Sequence, residues 1–184
     1  MALADVYPLA FLSDILRHQS LTFSLRRFDE QSGSGDGRFW IARMAPPLWE
    51  ISAPLIVPSR ASAAEISAKI RALDGMRRQF LFEDKSYRPA SSGAPGGSVK
   101  IASINADRTA VALNSLPASY RVTAGDRMSI AWGSGRYFFA EFAETVTANG
   151  SGVTAQIAIM PYLPQGIATG AAVEIGLPPP SGPG

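Results

Sequence analysis

The chain after residue 98 is divided into short apolar segments by closely spaced turn sequences, and this spacing constrains the fold more than any other feature. The connections contain Asn, Asp and Gly, and Asn149-Gly150 is the strongest hairpin signal. Because no helical segment separates these stretches, we expect antiparallel pairing in a small barrel or sandwich. The strand candidates are residues 99–104, 109–113, 127–132, 136–144, 152–160 and 172–175.

One α-helix is predicted over residues 62–74. Ser62 and Glu65 have the spacing of a capping box, and Gly75 stands where a left-handed residue ends a helix. The apolar residues recur at i, i+4 and i+7 and form a narrow stripe, which favours a helix lying on a sheet. They are Ile66, Ile70 and Leu73.

Upstream of this helix the sequence predicts a hairpin. Apolar and polar residues alternate over residues 21–26, and residues 38–44 resume an extended pattern after a Gly- and Ser-rich run at 31–37. Pro46-Pro47 is expected to break the chain before a further extended segment at 48–57.

These patterns together predict a mainly β fold: an antiparallel β-sandwich or small barrel, with one packed helix and a C-terminal set of β-hairpins. The stretch 89–98 is rich in Gly, Pro and Ser and is predicted to be a linker. It separates a β-rich part with the helix, residues 1–88, from an antiparallel β part, residues 99–177. Residues 178–184 form a Pro- and Gly-rich tail.

Composition excludes several classes of function. The 184 residues include no cysteine and one histidine, so disulfides, thiolate metal sites and a cysteine nucleophile are excluded. Seventeen basic and fifteen acidic residues leave a net charge of +2, which does not describe a nucleic-acid-binding surface. No apolar run is long enough to span a bilayer, and the N-terminus lacks the pattern of a signal peptide. We therefore expect synthesis in the cytoplasm and no membrane partner.

Few residues are candidates for catalysis. His18 follows Ser13 and Asp14, but no Gly-x-Ser-x-Gly turn presents the serine. The acid pairs Asp29-Glu30 and Glu83-Asp84 have the composition of a general acid and base, yet each lies beside a turn, where carboxylates commonly bind backbone amides. We expect no catalytic residue, no metal, no cofactor and no enzymatic activity.

Glycine and tryptophan residues suggest binding surfaces rather than chemistry. The run from Gly33 to Gly37 lacks the lysine of a phosphate-binding loop and is interpreted as a hairpin tip. Trp40, Trp49 and Trp132 lie in strand-like segments, where packing in a core or interface is favoured over a sugar-stacking platform.

The order of elements resembles that of small tail proteins of tailed bacteriophages, in the distal-tail or baseplate-ring group that caps the tail tube. The likeness covers nearly the whole chain and rests on turn-forming motifs in four stretches. They are Val6-Tyr-Pro-Leu9; Gly35-Asp-Gly37 with Ala45-Pro-Pro-Leu-Trp49; Ala63-Ala-Glu-Ile to Leu73-Asp-Gly75, leading into Phe80-Leu-Phe82-Glu-Asp84; and Ala124-Gly-Asp126 with Ala148-Asn-Gly-Ser-Gly152, followed by Pro161-Tyr162-Leu163-Pro164.

The resemblance implies a structural virion protein that closes into a cyclic ring, commonly of six copies. Its partners would be its own copies, the tail tube protein, and baseplate hub or tail fibre proteins, with DNA only in transit. Arms around residues 32–37 and 86–98 would contact adjacent subunits, because pairing removes exposed strand edges. The candidate interface residues are Trp40, Trp49, Gly33, Gly35, Gly37, Arg88, Pro95, Trp132 and Tyr162.

Two other functions fit the same sequence. The first is a carbohydrate-binding module at the tail tip, with tryptophans stacking on sugars. The second is a tail-completion or head–tail connector ring, which differs from the tail-tip ring only in its position in the particle.

Overall fold

The computed structural model describes residues 5–35, 37–75, 77–90, 94–133 and 135–176. The chain divides into two compact units: Met1–Leu16 with Ser59–Gly184, and Arg17–Pro58. The boundary therefore differs from the one drawn at the predicted linker, because the segments on both sides of that linker belong to one unit. Residues 91–93 of the linker and the tail 178–184 lie outside the described residues.

Strands make up 39% of the structure and helical residues 12%, which confirms the mainly β class. The helical elements of the described residues are α1 (Arg60–Ala72) and two short 3-10 helices (Leu9–Phe11 and Ser13–Ile15). Their strands are β1 (Val6–Tyr7), β2 (Thr22–Ser34), β3 (Arg38–Ser52), β4 (Gln79–Phe80), β5 (Lys100–Ile104), β6 (Ala110–Asn114), β7 (Arg121–Val122), β8 (Arg127–Ala131), β9 (Tyr137–Phe142), β10 (Val146–Thr147), β11 (Ile157–Met160) and β12 (Glu174–Ile175).

Six strands form a curled antiparallel sheet in the order β12-β8-β9-β11-β6-β5. The curl brings its two edges together. Ile101 N donates to Ala171 O at 3.0 Å, and Val173 N donates to Val99 O at 2.9 Å. Because these bonds join the edges, the predicted small barrel describes the sheet better than a sandwich does.

In the strands of the main core, burial alternates along β9 and β11, whereas β6 and β8 each bury three consecutive residues. In β9, Phe138, Ala140 and Phe142 are buried while the residues between them are partly exposed. Met128 and Ile130 of β8 point the same way. This period of two is the pattern that the sequence predicted for strands with one buried face. The fully buried large side chains of the core include Ile101, Val111, Leu113, Val122, Ile157, Ile159 and Ile175.

The helix begins earlier than predicted. Ser59 has an extended backbone and its Oγ accepts a hydrogen bond from Ser62 N at 3.1 Å, so Ser59 is the N-cap and α1 starts at Arg60. The capping box proposed for Ser62 and Glu65 is therefore wrong. The helix also ends earlier than predicted, at Ala72, and the left-handed residue directly after the C-cap Leu73 is Asp74, with a φ of +52°; Gly75 follows it with a φ of +68°.

One side of α1 contributes to a second, smaller apolar cluster. Ile66 and Leu73 are buried against Tyr7 and Leu12, whereas Ile70, expected on the same stripe, is 48% exposed. The parallel strand pair β1–β4 adjoins this cluster, because β1 contains Tyr7 and β4 follows α1 in the chain. The N-terminal segment and the helix thus share a core of their own within their unit.

The second unit is a long antiparallel hairpin made of β2 and β3. The strands continue well into the Gly- and Ser-rich run that was expected to be loop. Pro46-Pro47 does not break the chain; β3 runs through it, and the pairing register shifts between Arg26 and Asp29 on the opposite strand. A bulge accommodates prolines in a strand because the local ladder is already interrupted.

Asn149-Gly150 forms a turn, but not the predicted hairpin. Asn149 Oδ1 accepts hydrogen bonds from Ser151 N and Val153 N at 2.9 and 3.0 Å. The strand before this turn, β10, pairs with β7, and the strand after it, β11, pairs with β6 and β9. The turn therefore redirects the chain between two sheets.

Candidate functional site

The hairpin carries the largest group of exposed apolar side chains among the described residues. Trp40 is 71% exposed, Ile41 70% and Phe39 66%. Met44 and Leu48 continue this exposure along the same strand. A group of large exposed apolar side chains on one element indicates an interaction site, because soluble monomers rarely leave large apolar patches in water.

The two ends of the hairpin differ in how their apolar residues are arranged. Near the base, Phe23 and Trp49 are half-buried, with ring centroids 6.4 Å apart in an edge-to-face contact. Near the tip, Phe39 and Ile41 lie on one face of β3 and Trp40 on the other. Apolar residues on both faces are typical of a strand covered from two sides.

The structure brings five of the predicted interface residues into this hairpin. Trp40 and Trp49 belong to β3, and Gly33 belongs to β2 opposite Phe39. Gly35 and Gly37 form the tip, where Gly37 has a φ of +82°. Trp40 pairs with Ser32 and Trp49 with Leu25, and two register shifts of the hairpin separate these positions.

The other four predicted interface residues lie in the barrel unit. Arg88 is exposed, and its Nη1 donates to Tyr87 O at 2.7 Å. Trp132 is partly buried against the barrel core, with the Arg136 guanidinium 4.7 Å from its ring centroid. Pro95 is half-buried and Tyr162 is 40% exposed.

A buried carboxylate, Asp126, fastens the segment after β4 onto the barrel, and the sequence reasoning missed this role. Asp126 is 1% exposed. Its Oδ1 accepts from Ala90 N at 2.8 Å and from Tyr87 Oη at 3.4 Å, and its Oδ2 accepts from Thr123 N at 2.9 Å. A buried carboxylate is stable only when such donors satisfy it.

Arg127, the next residue, also holds the segment after β4 on the barrel. Arg127 N donates to Tyr87 Oη at 2.9 Å, and the Arg127 guanidinium lies 4.6 Å from the Tyr87 ring centroid. Arg127 Nη1 also pairs with Asp84 Oδ2 at 3.0 Å. Although burial opposes the shift, hydrogen bonds from Ser86 and the Arg127 charge lower the pKa of Asp84 below its ordinary value.

The residues considered for catalysis have structural contacts instead. Ser13 Oγ accepts from Glu83 N at 3.1 Å, and Asp14 Oδ1 pairs with Lys85 Nζ at 2.7 Å. Asp29 Oδ1 lies 3.6 Å from Arg43 Nε. His18 forms an isolated β-bridge with Leu55. The absence of catalysis stays a prediction.

A pair of buried polar atoms lies on the barrel between β8 and β12. Ser129 and Glu174 are direct partners across these strands, and Ser129 Oγ and Glu174 Oε2 are buried without a hydrogen bond in the described structure. Burial raises the pKa of Glu174 above its ordinary value. Burial, and then the Glu174 charge, raises the pKa of Tyr137.

Within the described ranges, no group of three or more His, Cys, Asp or Glu side chains is arranged to hold a metal ion. No helix in that same part of the chain has the length and apolarity needed to cross a membrane. No protein-family model matches the chain, and no curated protein matches it.

Proposed function

We propose that this chain is a structural subunit of a bacteriophage tail tip, in which copies form a ring that joins the tail tube to the hub or fibres. The resemblance in the sequence supplies the role. The exposed apolar hairpin is the observation that supports it best, since this surface requires a partner. In this proposal the protein resides in the virion, has no catalytic function, and surrounds DNA that only passes through.

The hairpin needs additional contacts to be stable. A two-stranded ribbon is marginally stable in water, and at least a third strand or a packed surface is normally required. Here the half-buried side chains at the base, such as Phe23 and Trp49, contact each other, but the distal Phe39, Trp40 and Ile41 remain exposed. Ring assembly would supply the missing cover.

The contacts within the barrel unit also favour the hairpin as the part that binds neighbouring copies. Its edge strands are joined by hydrogen bonds through Val99, Ile101 and Val173. The predicted arm at residues 86–98 is bound in part to its own chain, because Ala90 N and Tyr87 Oη donate to Asp126 and Tyr87 Oη accepts from Arg127 N. The hairpin is therefore the better candidate for the assembling arm.

The mass of the purified protein in solution tests the proposal. We expect a discrete oligomer, with six copies as the first expectation, in native mass spectrometry and light scattering across a concentration series. A chain that stays monomeric at every concentration, alone and with a tail tube protein, would contradict the ring.

A carbohydrate-binding role remains the main alternative, because Trp40 is exposed enough to stack on a sugar. The Trp40→Ala variant separates the two functions. In the ring model it weakens assembly and leaves binding to a glycan array at background, as in the wild type. Glycan binding by the wild type that is lost in Trp40→Ala, with assembly unchanged, would favour the alternative. A connector ring predicts the same solution behaviour and differs in its place in the particle.

A further inference from the structure

The free edges of the hairpin are unequal. The described hairpin is a two-stranded sheet, so each strand has an outer edge with no strand beside it. Along β3 this edge is interrupted by Pro46-Pro47, which have no N–H to donate. Along β2 no proline occurs from Thr22 to Ser34. A strand of another molecule can therefore pair along the whole of β2. On β3 it can pair without interruption only along the distal residues 38–45.

In the distal half of the hairpin, the two strands differ in side-chain size. The large residues Phe39, Trp40 and Ile41 are all on β3, and their partners on β2 are smaller or polar. The Phe39 ring lies close to Gly33, where an added Cβ would be 3.2 Å from Phe39 Cε1. A β2 strand placed beside another β3 would repeat this fit of large against small residues.

Charge is divided between the strands in a matching way. Asp29 and Glu30 are the charged residues of distal β2, and Arg38 and Arg43 are those of distal β3; Arg26 and Arg27 lie nearer the base of β2. The Asp29–Arg43 pair shows that these charges meet across a β2–β3 contact. Pairing β3 with a second β3 would bring arginines and prolines together, which is unfavourable.

We infer that copies of this chain assemble by antiparallel pairing of the β2 edge of one hairpin with the distal β3 edge of the next. This inference rests on the proposed ring function and identifies the contact that would form it. The pairing is heterologous, so each copy uses one edge of each kind, and the series closes into a ring when the rotation from one copy to the next divides a full turn evenly. In a closed ring every distal strand edge is paired with a neighbouring copy, whereas an isologous dimer leaves a distal edge of each copy unpaired.

The competing arrangement is an isologous dimer through β2 alone. Antiparallel self-pairing centred on Phe28 would place Arg26 opposite Glu30 and Arg27 opposite Asp29 of the second copy. This arrangement is also favourable in charge, but it leaves β3 with its exposed apolar residues at the outer edge of a four-stranded sheet. The test must therefore separate the two.

The absence of cysteine from the chain makes disulfide trapping clean. Chains carrying Gln31→Cys are mixed, under oxidising conditions, with chains carrying Phe39→Cys, Ile41→Cys or Arg43→Cys, which spans nearby registers. The inference expects disulfide-linked dimers in at least one mixture, well above the level in any single variant alone. A Phe28→Cys sample tests the isologous dimer by itself.

The outcomes separate this inference from the proposed function. Dimers in Phe28→Cys alone, with none in the mixtures, would overturn the heterologous pairing. Oligomers that form without any cross-link in the mixtures would also overturn it and leave the ring itself standing. Protein that remains monomeric throughout would overturn both. A charge exchange gives a second readout: Asp29→Arg reduces the oligomer fraction severalfold, and adding Arg43→Asp restores it.

Discussion

Asp126 Oδ1 accepts a hydrogen bond from Ala90 N at 2.8 Å, and this bond ties a segment that looks like a free linker to the barrel. Thr123 N and Tyr87 Oη complete the coordination of the same carboxylate. Residues 84–90 are therefore attached to the barrel through Asp126 and, next to it, through Arg127.

Replacing this acid should destabilise the fold. Asp126→Ala removes the buried acceptor of the hydrogen bonds from Ala90 N and Thr123 N, which we expect to cost about 2–4 kcal/mol in the free energy of unfolding. Urea denaturation measures the loss. Asp107→Ala, at an exposed turn, is the control and should change stability by less than about 0.5 kcal/mol. Equal effects of the two variants would show that Asp126 does not secure the segment.

Gly152 should not tolerate any side chain. Its φ is +72°, and an added Cβ would lie 2.0 Å from Leu116 O, a backbone atom. Gly152→Ala therefore adds a clash to the usual cost of a left-handed residue, which is about 1–2 kcal/mol. Gly170→Ala is the matched control, because Gly170 has a φ of +84° and open space at the Cβ position. Thermal unfolding should show a clearly larger loss at Gly152; equal losses would contradict the clash.

Stability should depend on pH through Glu174. Burial raises the pKa of Glu174 in the folded protein. Below the pKa of the unfolded chain, Glu174 is protonated in both the folded and the unfolded state, so it does not lower the free energy of unfolding there. As pH rises through the folded pKa, the folded state must hold a charge on this partly buried carboxylate, and the free energy of unfolding falls. Glu174→Gln should therefore be more stable than the wild type at pH 7 and nearly equal to it near pH 4. A pH-independent difference for Glu174→Gln would contradict this account.

The distal hairpin should control assembly without controlling folding. Phe39, Trp40 and Ile41 contribute little to the monomer because they are exposed, so changing Trp40 and Ile41 to serine should leave the unfolding midpoint nearly unchanged. The fraction of oligomer in sedimentation velocity should fall at least severalfold. Ile70→Ser, at an exposed apolar residue of the helix, serves as the control and should leave assembly intact. Loss of assembly in both variants would indicate a nonspecific effect of surface polarity.

Much of the fold could be predicted because its signals are local. Alternating residues such as Phe138, Ala140 and Phe142 identify a half-buried strand, and Gly75 marks the end of the helix to within one turn. The hairpin was predicted for the same reason. The short pairs β1–β4 and β7–β10 were missed, since two residues carry no periodicity.

The candidate site was predictable only in part. Trp40 and the tip glycines were identified from the turn sequence, but the exposure of Phe39 and Ile41 depends on what the rest of the chain covers. The attachment of Ala90 uses its backbone N–H, which every residue except proline carries. Among the residues of this attachment, only Asp126 can be noticed in the sequence, as an acid in a turn. An acid there usually accepts hydrogen bonds from its own turn and not from a distant segment.

The most direct test of the central claim is the position and symmetry of this chain in an electron cryomicroscopy map of an intact particle. The account predicts a closed ring at the tail tip, with each hairpin contacting the hairpin of the next copy along β2 and the distal part of β3. A single copy whose Phe39, Trp40 and Ile41 face solvent would contradict it.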